Sequence, residues 1–245
     1  MSGPVIAFAL FPAVRQLDFT GPHEVFTALP DATVIMASAA GGMIEATGGM
    51  TFAGLNRLAD IPACDVLCVP GGRGTTDNAI GDEAFLGELR RLAATARFVT
   101  SVCAGEPLLG AAGLLRGKRA ATHWAWRQLL VPFGAIPDSR RVVGDGNATT
   151  GGGVTAGIDF ALSVVAELAG PETAQAIQLQ IEYAPQPPSN AGVPETAPPA
   201  IMARVRERIS AMAAKREQGG RGCGGPSGNE LSSALTRFRN ELAAD

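Results

Sequence analysis

Four short apolar runs rich in β-branched residues, 5–11, 33–39, 66–69 and 97–102, recur along the chain with helical periodicity between them. Alternation of this kind predicts βαβ units and a mostly parallel sheet. Helices are expected over 21–29, 82–96, 105–115, 123–133, 155–169 and 171–183, where apolar positions repeat every three or four residues. The second starts most clearly, with Asp82 as N-cap and Phe85, Leu86, Leu89 and Leu92 on one face. Residues 141–143 and 148–150 flank Gly144-Asp145-Gly146-Asn147 and read as a β-hairpin. Gly151, Gly152 and Gly153 then lead into the helix at Thr155. The proline-rich stretch 185–199 is expected to run as an extended strap, followed by a helix over 199–215.

This pattern sorts the chain into an α/β domain over 1–215, a glycine-rich linker over 216–228 and an amphipathic helix over 229–245. The last is marked by Asn229 as N-cap and by Leu231, Leu235, Phe238 and Leu242 on one stripe, which must bury itself on its own domain or on a partner. With 31 glycines and 5% aromatic residues, helices are expected to pack closely on aliphatic strands. A net charge of −3 argues against a nucleic-acid surface, which needs clustered Lys and Arg. No apolar run is long enough to span a bilayer, so a soluble, cytoplasmic protein is expected. Four cysteines in 245 residues make no disulfide framework. Cys64 and Cys68 read as core, without the companions a zinc site needs, and Cys223 as a spare thiol in the glycine-rich tail.

Cys103 differs in context. It sits where the strand 97–102 breaks into a helix, with the small residues Ser101 and Gly105 two places before and after it. That is the arrangement of a nucleophile elbow, with cysteine in place of serine. Pro107 is tolerated only in a first helical turn, which dates the helix start to about Ala104. A thiol there would feel the positive end of the helix dipole and be partly ionised at neutral pH. The Ala104 N–H would face a developing anion, with Gly71 or Gly72 as second donor and Thr155 as a further substrate-binding candidate. The other reading is a buried cysteine at an ordinary strand end.

Acid and base partners are few. Of the two histidines, His23 lies early in the first helix and reads as a cap or packed polar residue. His123 opens a later helix and reads either as a cap or as a group supporting the site. Asp18, in the loop expected after the first strand, can face Cys103 across the sheet, and beside a thiolate its pKa would rise. Alternatively Asp18 or Thr20 caps the helix expected at Gly21. Glu106 puts another carboxyl one turn beyond the thiol, an awkward place for a charge.

These residues resemble the isonitrile hydratases of the DJ-1/PfpI superfamily. The likeness spans about 4–205 and rests on Gln16-Leu17-Asp18-Phe19-Thr20-Gly21-Pro22, Pro70-Gly71-Gly72, Thr100-Ser101-Val102-Cys103-Ala104-Gly105, Thr122-His123-Trp124, the glycine run before Thr155 and Glu182-Tyr183-Ala184-Pro185. It implies a flavodoxin-like three-layer sandwich, a homodimer, no metal or other cofactor, and Cys103 and Asp18 as nucleophile and acid/base. The chain departs from the family at Ala104, where threonine is usual. The implied reaction adds water to an isonitrile through a covalent thioimidate, giving an N-substituted formamide. A glyoxalase or deglycase and a thiol redox sensor are the alternatives within the superfamily.

Overall fold

The computed structural model describes residues 3–219. The helix expected over 229–245, the linker from residue 220 onward and Cys223 lie outside the described residues. Strands β1 (Val5–Leu10) and β2 (Thr33–Ser38) form where the apolar runs predict them. They pair in parallel with Phe8 opposite Met36. The hairpin of β3 (Gly42–Glu45) and β4 (Thr51–Arg57) was not expected: Gly48, Gly49 and Gly54 interrupt a segment whose residues are mostly exposed, so no apolar run marks it. β5 (Val66–Val69) and β6 (Phe98–Val102) continue the sheet on the far side of β1. Every residue of these two strands is buried, as strands covered on both faces must be.

Beyond them, β7 (Arg119–Ala121) and β8 (Ile136–Asp138) pair with each other, while β9 (Val142–Asp145) and β10 (Ala148–Gly151) form the expected hairpin. That hairpin docks on the sheet through β10, parallel to β6. The order among the described residues is β3-β4-β2-β1-β5-β6-β10-β9. It runs outward from β1 in both directions, so the right-handed crossovers place helices on opposite faces. Helix α1 (Gln16–Thr27) therefore lies on one face; the short α2 (Gly74–Asp77), α3 (Glu83–Ala93) and α4 (Glu106–Ala111) follow the strands of the other half. α5 (Ala156–Ala169) packs on α1 and α6 (Pro171–Gln180), completing a three-layer α/β sandwich. The crevice of such a sheet opens at the carboxyl ends of β1 and β5, where the strand order reverses.

Local chemistry explains several boundaries. Asp82 Oδ1 accepts the Phe85 N–H at 3.0 Å, and Phe85, Leu86, Leu89 and Leu92 are buried as expected. Each is worth roughly 2 kcal/mol of burial. Residues Trp124–Phe133 form a 3-10 helix rather than the expected α-helix. Pro132 lacks the N–H that an α-helix would need there, and Gly134 ends the segment at φ 72°. Helix α1 begins at Gln16, not at Gly21, so Pro22 lies inside it and deprives the Asp18 carbonyl of its helical donor. α7 (Pro199–Gly219) runs past the expected boundary at residue 215. No helix among the described residues is long and apolar enough to cross a membrane.

Candidate active site

Cys103 follows β6 directly in a left-handed conformation, φ 64°, which costs a non-glycine residue about 1–2 kcal/mol. Hydrogen bonds on both sides of its backbone hold it there. Its N–H is shared between the carbonyls of Gly151 and Gly152, at 3.2 and 2.9 Å. Its own carbonyl accepts the His123 N–H at 3.1 Å and the Thr122 hydroxyl. The carboxyl end of β5 closes the turn from the other direction. A Cβ on Gly105 would lie 2.3 Å from the Val69 carbonyl, so glycine is needed by the neighbouring strand as much as by the turn itself.

Asp18 approaches from α1 rather than from a loop. The Arg15 N–H donates to the Gly71 carbonyl at 2.9 Å, which registers the start of α1 on the loop after β5. Neither Asp18 nor Thr20 caps the helix: the Thr20 hydroxyl donates to the Gln16 carbonyl, and Asp18 turns inward. Its Oδ2 accepts the Gly71 N–H at 3.0 Å, while Oδ1 has no hydrogen-bond partner of normal geometry. Gly71 thus gives its N–H to Asp18 instead of to a substrate anion, which corrects its expected role. The Cys103 thiol lies beside this carboxyl and interacts with it directly. Burial raises the Asp18 pKa to about 7, against the opposing pull of the Arg15 charge, the Gly71 N–H and the thiol.

The thiol is not the dipole-stabilised thiolate expected from its position. Cys103 is 5% exposed, and burial, then the charges of Asp18 and Glu106, push its pKa up, with Arg15 opposing. α4 begins only at Glu106 and is six residues long. Its dipole offers at most about 1 kcal/mol, less than the several kcal/mol that burying an unpaired charge costs. The sulfur therefore holds its proton at rest, and Asp18 is the nearby group able to take it.

Glu106 is fully buried, and neither carboxyl oxygen has a hydrogen-bond partner of normal geometry. The hydroxyls of Thr122 and Ser101 face it as loose hydrogen-bond donors, but Thr122 already donates to the Cys103 carbonyl. Burial dominates and pushes its pKa up.

His123 accepts the Ala125 N–H on Nδ1 at 3.3 Å, the capping role. Burial, reinforced by Arg15 and Arg127, lowers its pKa to about 4, so it is neutral at pH 7. His23 packs by the Phe8 ring and is likewise lowered by burial. Thr155 is exposed, and its hydroxyl accepts from Arg141 at 3.1 Å. Gly72 reaches the site region through its bridge to Val14. No backbone hydrogen bond among the described residues uses the N–H of Ala104 or Gly72. Cys64 and Cys68 are buried in the core as expected. Arg15 and Thr122 were missed in the sequence; starting α1 at Gln16 would have placed Arg15 one turn before Asp18. Among the described residues no cluster of His, Cys, Asp or Glu forms a metal site. A cavity of about 300 Å³, lined in part by Leu10, Phe11, Met43 and Phe85, includes neither Cys103 nor Asp18.

The DJ-1/PfpI family matches residues 5–167. The isonitrile hydratase of Pseudomonas putida is 51% identical over 205 residues, covering 84% of this chain and 90% of that protein. Among solved structures, a ThiJ/PfpI family protein from Pseudomonas syringae superposes with a TM-score of 0.82 at 36% identity, over 100% of this chain and 92% of that one. DJ-1beta of Drosophila melanogaster superposes with a TM-score of 0.66 at 25% identity, over 75% and 100% respectively.

Proposed function

The chain belongs to the DJ-1/PfpI family, and from that premise we propose that it hydrates isonitriles to N-substituted formamides, with Cys103 as nucleophile and Asp18 as general acid and base. The observation that carries this reading is the buried pair itself: a protonated thiol beside a carboxyl that titrates near neutrality, with the nearby His123 neutral and occupied as a cap. The relative from Pseudomonas putida, which carries the name of that activity, supports the choice of reaction.

The terminal carbon of R–N≡C must accept a nucleophile and a proton. Asp18 takes the proton from the thiol as sulfur adds to that carbon, then delivers it to the same carbon. The S–H bond breaks, S–C and C–H bonds form, and a thioimidate, R–N=CH–S–Cys103, results with Asp18 again ionised. Asp18 next takes a proton from water as the water oxygen attacks and hands it to the nitrogen, which leaves the carboxylate ionised again. The C–S bond of the tetrahedral adduct then breaks, the hydroxyl proton returns to sulfur by way of Asp18, and R–NH–CHO leaves. The N–H groups of Ala104 and Gly72 are the donors proposed to face the developing charge. Thr155, engaged by Arg141, supports the start of α5 beside this region.

Infrared loss of the isonitrile stretch, with mass detection of the formamide, tests the reaction. Cys103→Ser is expected to abolish it, and turnover of methylglyoxal but not of an alkyl isonitrile would replace this reading by the glyoxalase one. A homodimer is part of the proposal. Exposed Leu17, Met43 and Met50, on α1 and the neighbouring hairpin, support such an interface, and sedimentation checks it.

A further inference from the structure

Glu106 takes no part in the scheme above, yet it lies in the first turn after the nucleophile, fully buried, with neither carboxyl oxygen in a hydrogen bond of normal geometry. The Ser101 hydroxyl, two residues before the thiol, is also buried and faces this carboxyl without reaching normal geometry. Burial deprives a charged carboxylate there of water, and its own N–H with the Thr122 and Ser101 hydroxyls offsets only part of that loss, whereas a neutral acid loses far less. The short α4 dipole compensates only a fraction of that loss.

We propose that Glu106 is a positioning residue for the nucleophile: a protonated acid held behind the elbow, whose neutrality confines the Cys103–Asp18 pair to a single negative charge. The proposal rests on that pair being the reacting couple. The charged groups around it are few. Asp18 and the exposed Arg15 come from α1, the thiol from the elbow, and the neutral His123, with Arg127 beyond it, from the segment after β7. Ionised Glu106 would act on Cys103 in the same direction as Asp18, holding the proton on sulfur. Loss of its proton at alkaline pH therefore holds the thiol protonated to higher pH than a lone buried thiol would be.

The test follows Cys103 alkylation by iodoacetamide, and its thiolate absorbance, against pH. In the wild type the reactivity is expected to rise late, spread over a wider pH span than a single titration gives. Glu106→Gln keeps the shape of the neutral acid but cannot ionise, so the rise is expected to sharpen to one step and the thiol titration to fall by on the order of one pH unit. Superimposable titrations of the two proteins would overturn the proposal, since a merely structural glutamate moves stability and not this profile. Should Glu106→Gln fail to fold, the Asp18→Asn protein gives a second measurement. Its infrared spectrum is expected to contain a protonated carboxyl stretch at neutral pH that disappears on alkaline titration; its absence would show Glu106 ionised and sink the idea. Neither measurement uses an isonitrile, so failure of the hydratase reading would leave both results interpretable.

Discussion

Gly71 stands with its α-carbon against the peptide of Ala104: a Cβ there would lie 2.4 Å from the Ala104 nitrogen. The same residue donates its N–H to Asp18 Oδ2 at 3.0 Å, so one glycine spaces the elbow and the carboxyl. Gly71→Ala must drive the two apart. Turnover and Cys103 alkylation are expected to fall about a hundredfold, as an ångström of misplacement does, with about 1–3 kcal/mol lost in denaturant unfolding. Wild-type reactivity in this variant would mean that the contact does not set the site.

The left-handed backbone at Cys103 makes a prediction about stability alone. Alanine usually outranks glycine, but at φ 64° the order reverses. Cys103→Gly is expected to be more stable than Cys103→Ala by about 1 kcal/mol. Urea titration of the two inactive proteins measures it, and the ordinary ranking would show that the turn is unstrained.

Asp18 links stability to pH with a definite sign. Its folded pKa of about 7 lies above the ordinary 3.8, so its contribution is fully present below about 3.8 and is lost as pH rises through about 7. Asp18→Asn escapes that loss. The variant is expected to match the wild type near pH 4 and to exceed it by up to a few kcal/mol above pH 7, at about 1.4 kcal/mol per pH unit. Parallel stability curves would contradict the burial argument.

The acid limb of turnover belongs to the same group. Activity requires ionised Asp18 to take the thiol proton, so it is expected to rise through pH about 7. His123, lowered to about 4, is already neutral across that range. His123→Asn, which retains a capping acceptor, is expected to keep the limb where it is, whereas Asp18→Asn removes turnover. A limb that moved with His123 would reassign the base.

Ala104 places a methyl group where the family resemblance implies a threonine hydroxyl. Ala104→Thr is expected to raise isonitrile turnover up to about tenfold, the worth of one additional hydrogen bond, without changing iodoacetamide alkylation of Cys103. Equal gains in both assays would point to a shift of the elbow instead.

Periodicity and residue size were enough to read the βαβ core, the Asp82 cap, the hairpin ending in β10 and the elbow at Cys103, because each depends on a few consecutive side chains. The partnership of Cys103 with Asp18 was also visible, since both follow strands of one sheet. The β3–β4 hairpin was not, because glycines and exposed positions leave no apolar alternation to find. The start of α1 was misjudged because Pro22 resembles a first-turn proline, and only packing against α5 shows that the helix tolerates it inside. The rise of the Asp18 pKa was foreseen, though burial and not the thiol causes it, while the state of the thiol was not. A helix start seemed to promise a thiolate at Cys103, but protonation depends on how much water each group loses and on which charges fold in beside it. Arg15, Gly71, Thr122 and Glu106 converge from four separate segments. Chain order therefore determined that Cys103 and Asp18 meet at one end of the sheet, and tertiary packing decided which further groups join them and which hold their protons.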